Sequence, residues 1–139
     1  MKLNDVNSTD ISSSIRLGCD AMQNIFDADT NEAPFFGAVA RPNAKLSFNA
    51  EASEAHVPGR HLNALLNAQD TLGINIDEEA INKHSRTAFR SYSGSVALPI
   101  NRADKKSAPI NFDPHNIREG LHALYSLVKY RHSDRAQFI

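Results

Sequence analysis

Four stretches of the chain repeat apolar residues at helical spacing, and the two long stretches between them do not. Ile11, Ile15, Met22, Ile25 and Phe26 recur at helical spacing, with Gly18 and Cys19 filling the turn between Ile15 and Met22, which predicts a first helix from Asp10 to about Phe26. Ser8, Thr9 or Asp10 can each accept a backbone N–H at its start. A second helix is expected from about Arg60 to Leu72. Leu62, Leu65, Leu66 and Leu72 share one side of it, and Gly73 is placed to stop it in a left-handed conformation.

A third helix should follow the N-cap Asp77, with Ala80, Ile81, His84, Ala88 and Phe89 at core spacing. The fourth opens at Asp113 as N-cap with Pro114 in the first helical position, and runs to about Arg131 on an apolar stripe of Ile117, Leu121, Leu124, Tyr125 and Val128. RHSDRAQFI then reads as a turn and the start of another helix.

Between Asp27 and Gly59 the periodicity is lost, and Pro34, Gly37, Pro42, Pro58 and Gly59 interrupt apolar pieces too short for helices. Ser91 to Asn116 is a second long connection, with a possible short strand from Ser95 to Leu98. Long loops inside a compact domain are usually functional when they are ordered, and the phenylalanines of the first favour order by being buried. The expected fold class is therefore mainly α: about four helices joined by two long ordered loops, in one domain over residues 1–139.

Composition supports a packed core, because 41% hydrophobic and 22% charged residues lie far from the values of disordered chains. A formal charge of −1 provides no field that would gather phosphate backbones or an anionic bilayer, so neither nucleic acid nor a membrane is expected as a partner. The single cysteine, Cys19, has no intrachain partner, and MKLNDVNSTD lacks the apolar stretch of a secretory signal; the cytoplasm is the expected compartment. No cofactor is expected, since the chain has no phosphate-cradling glycine loop and no CxxC pair; it also lacks a GxSxG elbow. Lys105 and Lys106 read as solvated charges at a loop tip.

Polar chemistry concentrates where the long loops enter helices. In HNIREGLH, His115, Glu119 and His122 are four and three residues apart and line one helix face, directed away from the apolar stripe. Such a set can move protons or ligate a metal, although it lacks the adjacent His-Glu pair of zinc proteases, and no metal is assigned to it. The competing reading is a solvated face with His115 capping the helix. In EAHVPGRHLNALLNA, Glu54, His56, Arg60, His61, Asn63 and Asn67 crowd a sharp turn into the second helix, where Arg and Asn suit carboxylates and sugar hydroxyls. The alternative is that His56 and Arg60 only tie the loop down. Tyr92 and Ser93, with Asn101 and Arg102 further along the same loop, could line a shared cleft, in which Tyr92 offers either an aromatic platform for a sugar ring or a half-buried anchor.

The runs PFFGAVARPNAKLSF, EAHVPGRHLNALLNA, SYSGSVALPINR and NFDPHNIREGLHALYSLVKYR resemble the amino-terminal part of bacterial six-hairpin glycosidase-like proteins. The resemblance implies an (α/α) toroid, of which this chain would be an incomplete hairpin array and an N-terminal fragment, with a carbohydrate as partner. It implies that the loops build part of a carbohydrate-binding or glycan-cleaving cleft. Glu119, His115 and Glu54 would be the catalytic groups, with His56, Arg60, Asn63, Tyr92, Asn101, Arg102 and Asn116 binding substrate. The alternative is a helical interaction module whose uncovered apolar faces bind a protein partner or a second copy of the chain.

Overall fold

The computed structural model describes residues 10–40, 42–102 and 109–139. It is mainly helical, as the periodicity predicts. Ser8, Thr9, Lys105 and Lys106 lie outside the described residues, which leaves Asp10 as the N-cap of α1 (Ile11–Gln23), its carboxylate accepting the Ser12 amide at 3.1 Å. The helix stops before Phe26, because Phe26–Asp27 pairs as strand β1 with β2 (Ala33–Pro34). A second hairpin joins β3 (Gly37–Val39) to β4 (Lys45–Ser47). The first long loop is thus ordered by backbone pairing; its phenylalanines do not supply a buried core, since Phe36 is exposed and Phe35 and Phe48 are only half-buried.

Helix α2 spans Val57–Leu72, three residues longer at its start than the expected one. Pro58 fits within the first turn because no intrahelical partner exists there for the amide it lacks. At the other end Gly73 adopts φ 61°, the left-handed stop its position predicts, and its amide donates to the Gln69 carbonyl at 3.1 Å. Asp77 caps α3 (Glu78–Ser91) through the Glu79 amide, and Asp113 caps α4 (Pro114–Arg131) through the His115 amide, both as expected. Residues 95–98 form bends and no strand; instead β5 (Asn101–Arg102) pairs antiparallel with β6 (Pro109–Asn111). A short α5 (Asp134–Gln137) completes the order.

The core lies between α2, α3 and α4, around Leu62, Leu65, Leu66, Ile81, Ala88, Leu124 and Leu127. Two expected stripes fit poorly. On α1 only Cys19 is fully buried, and Ile11, Ile15 and Leu17 are exposed. On α4 the stripe is rotated: Leu121 and Tyr125 are 57% and 60% exposed, and the face turned inward carries Asn116, Glu119, Gly120, Ala123, Leu124 and Leu127. The reason is close approach. A Cβ on Gly59 would overlap the Glu119 carbonyl, so that glycine lets the α2 and α4 backbones meet, and one on Gly120 would strike the side chains of Pro99 and Tyr92, which pack against α4 on the face with the smaller side chains.

Candidate functional site

The crossing of α2 over α4 at Gly59 brings the first turn of one helix onto the second turn of the other. Glu119 therefore sits at the interface, 2% exposed, with its carboxylate under the rim of the crossing. Arg118 donates to Oε1 from Nη2 at 2.5 Å and Nε at 3.0 Å, and Nε of Arg60 on α2 approaches the same oxygen at 3.4 Å. The Nδ1 atom of His122 lies 3.9 Å from Oε2. Burial pushes the Glu119 carboxyl up, but the hydrogen bonds and charge of Arg118, and then Arg60, prevail and hold it below its ordinary value. Glu119 is an ionised carboxylate under two half-exposed guanidiniums, whose side chains are 57% (Arg60) and 64% (Arg118) accessible.

Beside this group stands His56, the N-cap position of α2, whose side chain makes no cap hydrogen bond. Its ring lies beside Asn116 and 5.9 Å, centroid to centroid, from that of Phe36. Burial, aided by the Arg60 charge, lowers its pKa against the opposing pull of Glu119, so the imidazole is neutral at pH 7. Asn116 is buried, and its Nδ2 donates to the Glu51 carbonyl at 2.9 Å.

Behind the junction lies a second polar cluster. The Asn101 side chain accepts the amides of Glu54 and Ala55 at 3.2 and 2.9 Å and donates to the Glu51 carbonyl at 3.0 Å, so Asn101 and Asn116 share one acceptor. Glu54 receives the Arg102 amide on Oε2 at 2.8 Å and the Arg102 Nε on Oε1 at 2.5 Å. Both side chains are buried, and the Arg102 guanidinium lies 5.8 Å from the Phe48 ring centre. This cluster ties the first long loop to β5 and α4. With both oxygens bonded to Arg102 and 1% of its surface exposed, Glu54 ties the loop to β5.

The remaining candidates separate. His115 is 84% exposed and its ring turns back to the capping Asp113, Nδ1 3.0 Å from Oδ1, so it does not join Glu119, and the cap is Asp113 and not His115. Tyr92 is half-buried: its hydroxyl packs against Gly120 without a hydrogen-bond partner among the described residues, and burial raises its pKa to about 12. Asn63 sits one turn beyond Arg60, where its Oδ1 accepts Nδ2 of Asn67 at 2.8 Å and lies 3.5 Å from the Ser126 hydroxyl. Among the described residues, no three His, Cys, Asp or Glu side chains gather to hold a metal ion. No helix there is long and apolar enough to cross a membrane.

Of the expected residues, His56, Arg60, Asn116 and Glu119 converge at the junction; Glu54, Asn101 and Arg102 form the lock behind it. Arg118 was missed. It stands one position from Glu119, and a reading of one helix face through 115, 119 and 122 passes over it. No family model, curated protein or solved structure matches this chain.

Proposed function

We propose that the α2–α4 junction binds an acidic sugar, as part of a glycan-handling cleft of the six-hairpin toroid kind that the sequence resembles. The observation that carries this reading is the convergence of two half-exposed guanidiniums, Arg60 and Arg118, on one buried carboxylate. Glu119 anchors them, and the outward edges of both planar forks can grip a uronate carboxylate. Neutral His56 and the exposed part of the loop before it supply hydrogen bonds to ring hydroxyls.

Binding is the proposed activity of this chain, and cleavage is not. Glycoside hydrolysis ordinarily needs two carboxyl groups flanking one bond, one of them protonated. Glu119 is held ionised and Glu54 is locked to Arg102, so Glu119 is assigned a positioning role. Calorimetric titration of the chain with a trigalacturonate and with a neutral trisaccharide tests the proposal. Binding should be confined to the acidic sugar, and the double substitution R60A/R118A should weaken it roughly tenfold or more, the loss expected for charged hydrogen bonds. Equal affinity for both sugars, or no effect of the double substitution, would sink the reading.

A second reading, a helical interaction module, is favoured by the exposure of Ile11, Ile15 and Leu17 on α1 and of Leu121 and Tyr125 on α4. Light scattering across a concentration series separates the two, since self-association raises the mass with concentration and sugar binding does not require it.

A further inference from the structure

Away from the junction, α1, β1, α2 and α3 meet at a pair of imidazoles. His84 of α3 is fully buried, and its Nε2 lies 3.0 Å from the Met22 carbonyl of α1. The Phe26 ring of β1 packs against it at 4.6 Å, and the His61 ring of α2 stands edge-on to it at 4.9 Å and 88°. A carbonyl oxygen only accepts, so His84 carries its proton on Nε2 and its Nδ1 is a bare lone pair. That atom and Nδ1 of His61 are both buried without a hydrogen-bond partner among the described residues.

A second proton on His84 must therefore enter at Nδ1, where no acceptor waits for it and a second imidazole lies alongside. The charged groups around the pair are turned elsewhere. Lys83 and Arg86 of α3 pair with Glu32, Arg86 also with Glu79, and Lys83 lies over Phe26 at 5.3 Å. Arg16 and Asp20 of α1 are exposed, Asp27 of β1 caps the short turn after it, and Arg60 of α2 faces Glu119. Burial, then the His61 charge, depresses His84 to about 3 against the Met22 hydrogen bond, and burial depresses His61 to about 4.

We propose that His61 and His84 form an acid-sensitive joint that holds α1 and β1 on α2 and α3 at neutral pH and releases them when both rings are protonated. Helix α1 is the element built to move: beyond the His84 bond, its polar tie to α3 is the Gln23 side chain accepting the Asp77 amide at 2.7 Å, and its first turns are exposed. The sign follows from linkage. Both folded values lie below the ordinary 6.5, so the closed form binds fewer protons, is fully favoured above pH 6.5, and loses favour as pH falls toward 4 and 3. Between pH 7 and pH 4.5 each ring shifts the equilibrium toward the open form by roughly 50-fold.

Cys19, the buried residue of α1 and the only cysteine in the sequence, reports the opening. Its labelling by 4,4′-dithiodipyridine, normalised at each pH to a small free thiol, should quicken more than tenfold from pH 7 to pH 4.5. Amide exchange should rise in α1 while α4 stays protected. H61Q/H84Q should flatten the response, and the milder H61Q alone should reduce it if the double variant does not fold. A pH-independent labelling rate, exchange of α4 together with α1, or an unchanged response in a folded variant overturns the proposal.

Discussion

Gly59 sets the geometry of the junction, because its missing side chain lets α2 rest on the backbone of α4. In G59A the new methyl meets a carbonyl oxygen that cannot rotate aside, so overpacking should cost about 1–3 kcal/mol or more, read from urea unfolding. Glu54 and His115 make a contrasting pair. Removing the Glu54 carboxylate takes a buried ion-pair partner from Arg102 and should cost about 1–3 kcal/mol, whereas exposed His115 should change stability by less than about 0.5 kcal/mol when replaced by alanine. Comparable melting temperatures for E54A and H115A would show that the lock behind the junction contributes little. Single residues were legible in the sequence where a local rule decides them: Asp77, Asp113 and Gly73 cap helices as their neighbours require. The Glu54–Arg102 tie was not, since it joins positions 48 residues apart and no local pattern marks the pairing.

Among the elements, the third and fourth helices begin where their caps place them, but α4 is rotated about its axis so that Leu121 and Tyr125 face outward while Leu124 stays buried. Its sequence offers two seams, one of large apolar residues and one of small residues with Asn116 and Glu119. The second wins because Gly120 and Ala123 allow an approach that Leu121 and Tyr125 would block. Leu124 belongs to the buried seam and Leu121 does not. L124A should therefore cost about 2–3 kcal/mol and L121S less than about 0.5 kcal/mol in thermal unfolding, and the reverse order would restore the rotation expected from hydrophobic spacing. The same rotation explains why Glu119, read from the sequence as lying on an outward face, became the anchor of the candidate site. Hairpins in the first long loop escaped the pattern because strands of two and three residues carry no period to detect.

For the whole molecule, the mainly helical class, the number of long helices and the two long connections could all be read from the sequence. The meeting of His56, Arg60, Asn116 and Glu119 depended on folding the first loop back onto α4, through the carbonyl of Glu51 that Asn101 and Asn116 share. That fold-back makes the loop a wall of the junction and gives the acidic-sugar proposal its geometry. Mapping the amide chemical-shift changes of the labelled chain during titration with a trigalacturonate tests it most directly. The account predicts changes concentrated at residues 56–60 and 115–122, saturating together with one affinity. Changes confined to α1 or to the β3–β4 hairpin, or no saturable change at all, would contradict it.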